Sequence, residues 1–242
     1  MDLKGKRALV TGGSRGIGRA IVEALAESSA DVAIVYYSRK DKAEELQARV
    51  QRRGVRAFTL QGDVSSWESA KSLVDRAIEV LGGIDILINS AGINGTKTTL
   101  PEISEREWYR VISTNLSGSF FTSKAAEAQL RANKGKIVNL SSIAAKMGGT
   151  LGSHYAASKG GISSMTFAMA TELAPDVMVN AIAPGPVDTD LIAPEVKEKL
   201  GALTPFNRIA RAEEIAHTAI YLLENDFVTG EIIDVNAGRY KD

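Results

Sequence analysis

Short apolar runs alternate along the chain with longer segments of helical periodicity. The short runs are rich in β-branched residues and occupy 7–12, 31–37, 56–62, 84–90, 136–142, 176–184 and 231–238. Between them, apolar residues recur every three or four positions, as in helices with one buried stripe; examples are 19–28, 42–53 and 68–82, with longer stretches at 101–131 and 153–174. Nearly continuous apolar strands separated by helices indicate a parallel sheet covered on both faces. The pattern therefore predicts an α/β fold, a single doubly wound domain over residues 1–242 with a seven-stranded sheet.

The composition excludes several classes of site. The chain has 242 residues, of which 44% are hydrophobic, enough for one large core. It carries 29 basic and 29 acidic residues, and this balance argues against nucleic-acid binding. Cysteine is absent and the two histidines, His154 and His217, are far apart, so disulfides, thiol catalysis and a metal site are not expected. With neither a signal-peptide core nor a membrane-length apolar stretch, the expectation is a cytoplasmic protein that does not bind membranes.

A glycine-rich turn follows the first predicted strand. Gly12, Gly16 and Gly18 stand where that strand must pass into a helix. Glycine allows the backbone to approach a ligand closely, and a helix start offers free N–H groups that suit a pyrophosphate. The turn therefore predicts phosphate binding, with a purely structural turn as the alternative. Its spacing, G-x-x-x-G-x-G, differs from the G-x-G-x-x-G of the ordinary dinucleotide fold.

The form TGGSRGIG closely resembles the short-chain dehydrogenase/reductase family. Five further segments resemble motifs of that family in the same order: GDV (62–64), NSAG (89–92), TNLSG (114–118), LSS with HYAASK (140–142 and 154–159) and PGPVDT (184–189). Ser90 replaces the second Asn of the usual NNAG. The resemblance implies a Rossmann-like fold and an NAD(P)-dependent oxidoreductase, nearest to the 3-oxoacyl-(acyl-carrier-protein) reductase branch.

The catalytic candidates are Ser142, Tyr155, Lys159 and Asn115. Tyr155 and Lys159 lie one helical turn apart, so both side chains share a helix face. A tyrosine has a pKa of about 10, and a nearby positive charge lowers it toward working pH. Ser142 precedes Tyr155 by the family's usual interval, whereas Ser141 would point to the other side of the strand. By the resemblance, Tyr155 is the acid or base, Ser142 binds the carbonyl oxygen, Lys159 also binds the nicotinamide ribose and Asn115 holds a relay water. The alternative is a surface Tyr–Lys pair without function.

The end of the second strand predicts NADP(H) rather than NAD(H). No carboxylate stands at positions 36–38 to accept from a ribose 2′-OH, while Ser38, Arg39 and, in the glycine turn, Arg15 would attract a 2′-phosphate. The alternative is that Arg39 merely begins a solvated helix. The resemblance implies the full cofactor site: Gly12, Ser14, Arg15, Gly16, Ile17, Gly18, Tyr37, Ser38, Arg39, Asp63, Val64, Asn89, Ala91, Gly92, Tyr155, Lys159, Pro184, Gly185, Val187 and Thr189.

The substrate is the least determined part. The resemblance implies a ketone or secondary alcohol, including an acyl-thioester carbonyl in fatty acid biosynthesis, with Met147, Leu151, His154, Pro186 and a mobile lid over 188–210 as the pocket wall. His154 is expected at a helix start or on the surface. Where carrier-dependent reductases tend to carry basic residues, this chain has Asn133 and Asp176, although Arg131, Lys134 and Lys136 lie nearby.

Two other functions stay open. One is a dehydrogenase of a small free ketone, alcohol or sugar, similar to glucose dehydrogenase; the other is a nucleotide-sensing binding protein on the same scaffold. By the resemblance, a homotetramer or homodimer is expected.

Overall fold

The computed structural model describes residues 1–190 and 192–241; Leu191 of the predicted lid and Asp242 lie outside the described residues. Within the described residues, seven strands form one parallel sheet in the order β3-β2-β1-β4-β5-β6-β7. The predicted α/β fold and its seven strands are confirmed. The strands are β1 (Arg7–Thr11), β2 (Asp31–Tyr36), β3 (Ala57–Gln61), β4 (Ile86–Asn89), β5 (Lys136–Leu140), β6 (Met178–Pro184) and β7 (Ile232–Val235).

Helices cover both faces of the sheet. They are α1 (Gly16–Glu27), α2 (Lys40–Gln51), α3 (Trp67–Leu81), α4 (Glu105–Ile112), α5 (Gly118–Ala132), α6 (Ala144–Met147), α7 (Ser153–Leu173), α8 (Pro194–Ala202) and α9 (Ala212–Glu224). On one face, α1, α2 and α9 bury their apolar stripes against the sheet; on the other, α3, α5 and α7 do so. None of the described helices is long and apolar enough to cross a bilayer.

Two segments differ from the predicted helices. The stretch 101–131 is not one helix: after a short 3₁₀ turn (Leu100–Glu102), α4 passes into a π-helical turn (Ser113–Ser117) before α5 begins. The predicted lid contains α8, which starts at Pro194, since proline suits the first turn of a helix.

The strand order reverses between β1 and β4, and this reversal positions the site. β1 pairs with β2 on one side and with β4 on the other, so that Thr11 lies beside Asn89 at the carboxyl ends of the two strands. In open α/β sheets, the crevice at such a switch point is where ligands bind. The glycine turn after β1 and the loop after β4 both begin there.

Candidate active site

The glycine turn packs against the loop after β4. Gly12 has a φ of +64°, and a Cβ there would lie 2.8 Å from the Cα of Ala91. A Cβ on Gly18 would overlap the carbonyl oxygen of Gly12. Thr11 Oγ1 accepts hydrogen bonds of 3.1 Å from the N–H groups of Ser90 and Ala91, which fixes the two segments together. The turn is thus fixed at the start of α1, where the N-cap residue Arg15 makes no side-chain hydrogen bond to the free N–H groups of the helix.

One cavity of about 920 Å³ lies along the carboxyl ends of the strands. A Cβ on Gly16 would lie 3.2 Å from Thr189 Cγ2, so the glycine turn and the loop after β6 enclose its middle. All residues of the predicted cofactor site except Asn89 line this cavity, namely Gly12, Ser14, Arg15, Gly16, Ile17, Gly18, Tyr37, Ser38, Arg39, Asp63, Val64, Ala91, Gly92, Tyr155, Lys159, Pro184, Gly185, Val187 and Thr189.

Asn89 is buried behind the cavity. Its Nδ2 donates to Asn139 Oδ1 at 2.9 Å and to Ser123 Oγ at 3.0 Å, and its Oδ1 accepts from Thr122 Oγ1 at 2.7 Å. In this structure, Asn89 therefore joins β4 to β5 and α5.

Tyr155 and Ser142 meet at the cavity wall. Burial raises the pKa of Tyr155, and a hydrogen bond with the Ser142 side chain opposes that rise. Ser142 Oγ also accepts from the Ala144 N–H at 3.1 Å, which orients it at the end of β5. Ser141 instead donates to the Lys159 carbonyl at 3.0 Å and lies 2.8 Å from Ser163 Oγ. The Ser141 hydroxyl is thus engaged with α7, and Ser142 is the serine that influences the pKa of Tyr155.

Lys159 is buried beneath Tyr155. Its Nζ lies 5.7 Å from the centroid of the Tyr155 ring and donates a hydrogen bond of 2.7 Å to the Leu140 carbonyl. Burial lowers the pKa of Lys159 from 10.5 to about 8. The expectation that Lys159 lowers the pKa of Tyr155 does not hold in the protein alone, because desolvation dominates at Tyr155 and the hydrogen bond that opposes it comes from Ser142.

Asn115 occupies the π-helical turn and is fully buried. Its Nδ2 donates to the Ile93 carbonyl at 3.0 Å and to Ser158 Oγ at 3.1 Å, while its Oδ1 accepts from the Ile93 N–H at 2.8 Å. It therefore joins the loop after β4 to α7, next to the catalytic candidates. A Cβ on Gly92 would lie 3.4 Å from Asn115 Oδ1 and 3.7 Å from Lys159 Nζ, so this glycine lets the backbone pass close to both.

Arg39 is exposed at one end of the cavity. Its Nε and Nη2 donate to the two carboxylate oxygens of Asp41 at 3.0 and 2.8 Å, which lowers the pKa of Asp41 to about 2. Tyr37 beside it is 70% exposed, and Asp63 Oδ1 accepts from the Ser65 N–H at 2.9 Å. This end of the cavity thus has the guanidinium of Arg39 at the surface and the carboxylate of Asp63 deeper inside.

The other end has a largely apolar wall. Met147, Leu151 and Pro186 line it as predicted, and α8 adds Val196 and Leu200. His154 stands at the start of α7, as expected, but it is neither exposed nor part of the cavity wall. Its Nδ1 accepts from the Tyr155 N–H at 2.8 Å, and its Nε2 is buried without a hydrogen-bond partner, with the ring packed against Gly95 and Gly152. The prediction that His154 lies in the pocket wall is therefore wrong.

Several lining residues carry no short motif and were not predicted. They are Ile93 and Asn94 after β4, Arg106, Tyr109 and Arg110 on α4, and Arg239 after β7. The only sequence feature that could have predicted these residues as part of the cavity wall is that they lie after a strand or near the start of the next helix. Loops at the carboxyl ends of a parallel sheet line its crevice, so this signal could have pointed to Arg239.

A dinucleotide-sized cavity at a switch point, with a glycine turn at its centre and a Tyr–Ser–Lys group in its wall, defines a nucleotide-dependent oxidoreductase. Residues 6–200 match the family described as short chain dehydrogenase, and the chain belongs to this family. It is an NAD(P)-dependent oxidoreductase acting on CH–OH or C=O groups.

Three similar proteins illustrate the family. The 3-oxoacyl-(acyl-carrier-protein) reductase FabG of Staphylococcus aureus is 38% identical over 242 residues, covering 97% of this chain and 98% of the relative. Glucose 1-dehydrogenase 2 of Bacillus subtilis is 35% identical over 246 residues, covering 98% and 95%. The crystal structure of a blue fluorescent protein from a metagenomic library in complex with NADPH is 34% identical, covers 100% of both chains and superposes with a TM-score of 0.94.

Proposed function

We propose that this protein is an NADP(H)-dependent carbonyl reductase that reduces a ketone to a secondary alcohol and catalyses the reverse oxidation. The observation that carries the proposal is that Ser142, Tyr155 and Lys159 line the same cavity as the glycine turn, with Lys159 Nζ 5.7 Å from the centroid of the Tyr155 ring. In the proposed reaction, Tyr155 is the proton donor and Ser142 the second hydroxyl, and the carbonyl oxygen accepts from both.

The cavity fits a nicotinamide dinucleotide. The backbone at Gly12–Gly18 and the N-terminus of α1 would hold the pyrophosphate, and Thr189 closes over them. Asp63 would accept from the adenine amino group, and Lys159 would bind the nicotinamide ribose. When bound, the nicotinamide supplies or accepts the hydride.

The protein's own groups handle the proton and the negative charge. Tyr155 donates a proton to the carbonyl oxygen during reduction, while Ser142 donates a hydrogen bond to the same oxygen. Lys159 keeps a positive charge below Tyr155, although burial makes that charge easier to lose, with a pKa of about 8. Asn115 fixes the loop and helix that frame this group.

The preference for NADP(H) rests on charge at the β2 end. β2 ends at Tyr36, and Tyr37 and Ser38 follow without a carboxylate. The nearest acid, Asp41, is bound by Arg39, so a 2′-phosphate would meet Ser38, Arg39 and Arg15 rather than a free negative charge. The similar structure solved with NADPH supports the same preference.

The substrate class follows from the apolar wall and from the similarity to 3-oxoacyl reductases. Met147, Leu151, Val196 and Leu200 suit the carbon skeleton of a ketone or 3-oxoacyl thioester better than a polyhydroxylated sugar. The second candidate is a free carbonyl compound that no carrier protein presents.

Ion pairs at the expected carrier-docking surface favour this second candidate. Asp176 binds both Arg131 and Lys134, and Arg131 also binds Glu127, so these two cations are largely neutralised. Lys136 is buried and binds Asp226. An acidic carrier would have to break these pairs in order to dock.

We propose a homodimer or homotetramer that works in the cytoplasm. Phe120 on α5 and Phe167 on α7 are 42% and 52% exposed, and α5 and α7 lie on the same face of the sheet. Covering these rings with a second copy would bury apolar surface. Light scattering after gel filtration tests the assembly, and a monomer at micromolar concentration would contradict it.

The deciding experiment is a reduction assay with NADPH and NADH against ketoesters, diketones and an acetoacetyl thioester, free and on a carrier protein, with aldose sugars assayed in the oxidative direction. We expect NADPH-dependent reduction with a higher kcat/KM than with NADH, and a loss of at least about 100-fold in kcat for Tyr155→Phe. Activity of Tyr155→Phe within tenfold of wild type would refute the assignment of Tyr155. A thermal shift with NADPH but no turnover of any carbonyl would favour a nucleotide-sensing protein instead.

A further inference from the structure

Arg239 stands out among the arginines of the described chain. Four of them are partly buried, and three of these four bind carboxylates: Arg7 binds Asp85 at 2.7 Å, Arg19 binds Glu23 at 3.2 Å and Arg131 binds Glu127 at 2.6 Å. Arg239 is the fourth; among the described residues no hydrogen bond, ion pair or ring contact of its guanidinium is found, and it lines the cavity. A partly desolvated cation without a counter-charge is costly to hold, so its position calls for an external partner.

The turn that presents Arg239 is firmly built. Asn236 is buried, and its carbonyl accepts from the Arg239 N–H at 3.1 Å. A Cβ on Gly185 would lie 3.0 Å from the Cα of Asn236. Ala237 has a φ of +55°, a left-handed conformation that is unfavourable for a residue with a side chain. Gly238 follows at +74° and packs beside Pro205. The segment after β7 is thus held in a strained turn against the loop after β6, with Arg239 at its end.

Among the described residues, the carboxylates to consider are those on the neighbouring strand β7 and those that line the cavity. Asp234 on β7 binds Lys146 at 2.6 Å. The acids that line the cavity are Asp63 and Asp190. Asp190 follows Thr189, whose Cγ2 would lie 3.2 Å from a Cβ on Gly16, so Asp190 lies close to the glycine turn. Arg239, on the loop after the edge strand β7, lies at the opposite side of the sheet from β2 and β3. It is therefore a cation of the substrate half of the cavity.

We propose that Arg239 binds an anionic group on the carbonyl substrate, a carboxylate or a phosphate, and so determines specificity. The planar guanidinium matches the paired oxygens of either anion, and the apolar side chains of Met147, Val196 and Leu200 accommodate the carbon chain between that group and the ketone. The anion itself takes no part in the reaction, in which the ketone, NADPH and one proton give the secondary alcohol and NADP⁺. This inference rests on the proposed function and narrows its substrate to acidic ketones.

Matched substrate pairs test the inference. The carboxylate arm compares 4-oxopentanoate with its methyl ester, and the phosphate arm compares acetoacetyl-coenzyme A with the uncharged acetoacetyl N-acetylcysteamine thioester. Arg239→Met is expected to lower the ratio of kcat/KM for the charged over the uncharged member by at least about 20-fold in one arm, mainly through KM, because a charge-assisted hydrogen bond is lost. The arm that responds identifies the anion.

Lys241→Met is the matched control. Lys241 is an exposed cation two residues away that does not line the cavity, so its loss removes the same charge without touching the site. The ratio is expected to stay within about twofold for this variant, since exposed charges are screened. Equal effects of the two variants would reduce Arg239 to a general electrostatic role, and ratios unchanged by Arg239→Met in both arms would overturn the inference.

Calorimetry separates this inference from the proposed function. Titration of 4-oxopentanoate and of acetoacetyl-coenzyme A into Tyr155→Phe with NADP⁺ present measures recognition without turnover, because NADP⁺ carries no hydride to transfer. Binding at least tenfold weaker in the double variant Tyr155→Phe/Arg239→Met than in Tyr155→Phe supports the anion site. If the wild type nevertheless reduces none of these ketones, only the proposed function fails. Equal affinities with and without Arg239→Met contradict the anion site even if the wild type reduces these ketones.

Discussion

The ammonium group of Lys159 is buried, donates to the main-chain carbonyl of Leu140 at 2.7 Å, and has no carboxylate partner among the described residues. An ammonium group held in this way opposes folding, because desolvation is only partly compensated by one neutral acceptor. Under the proposed function, the position serves the nicotinamide ribose and the proton step rather than the stability of the chain.

The first prediction concerns the pH dependence of stability. Burial lowers the pKa of Lys159 to about 8 from 10.5, so between these values the unfolded chain binds more protons than the folded one. The free energy of unfolding therefore rises with pH across that window, by on the order of 3 kcal/mol from this group. Lys159→Met lacks this contribution. We expect the Tm of wild type minus that of Lys159→Met, without ligand, to increase from pH 7 to pH 10; a constant difference would contradict the buried charge.

The second prediction concerns Ser142 and the proton step. The Ser142 hydrogen bond lowers the pKa of Tyr155 against the rise caused by burial. In Ser142→Ala the pKa of Tyr155 rises, so the phenolate needed for alcohol oxidation forms only at higher pH. We expect the rising limb of kcat/KM for oxidation to shift to higher pH and its plateau to fall by about 100-fold. Ser142→Thr, which keeps the hydroxyl, should return the limb toward wild type, and an unshifted limb in Ser142→Ala would contradict the role.

The third prediction concerns the ion pair at the expected 2′-phosphate site. Asp41 holds Arg39 through two hydrogen bonds, so a phosphate must compete with it. Asp41→Asn is expected to lower KM for NADPH by about threefold, and Arg39→Met to raise it by about tenfold, with KM for NADH nearly unchanged in both. Glu44→Gln removes an equivalent negative charge from the same helix, where Glu44 pairs with Lys40, and serves as the control. Equal changes for NADPH and NADH would show that Arg39 does not read the phosphate.

The fourth prediction tests the buried histidine. A Cβ on Gly95 would overlap the His154 ring, which cannot retreat because it is fully buried and its Nδ1 accepts from the Tyr155 N–H. Gly95→Ala should therefore lower the Tm by about 3–10 °C in the wild type, corresponding to an overpacking penalty of about 1–3 kcal/mol. In a His154→Ala background the same change should have little effect. Additive shifts in the double-mutant cycle would show that the two residues do not contact each other.

The positions of the strands and of the helices on either side of the sheet are predicted well from the sequence. Strands of a parallel sheet are buried on both faces and therefore consist of nearly continuous apolar residues. The predicted strand 31–37 is found at Asp31–Tyr36, and 136–142 at Lys136–Leu140. The ends of the strands are predicted less exactly. A strand ends where its hydrogen bonds to the neighbouring strand end, and the sequence of one strand does not contain that information. The helix predicted from 19 begins at Gly16, whose φ of +53° lets the chain enter α1 directly from the turn.

Other features depend on contacts between distant segments. The π-helical turn at Asn115 is fixed by Ile93 and Ser158, which lie far away in sequence. His154 is covered by Gly95 of another loop, a contact that local polarity does not indicate. The helix α8, by contrast, could have been predicted, because Pro194 and Glu195 form a recognisable helix start that the proline-rich appearance of the segment concealed.

Residues 184–190 and 192–200 border both halves of the cavity, because Thr189 meets the glycine turn while Val196 and Leu200 line the cavity from α8. Changes made there to broaden the range of accepted ketones will also alter how tightly the coenzyme is retained. Engineers who want to vary the two independently should work at Met147, Leu151 and Arg239, which line the cavity outside this segment.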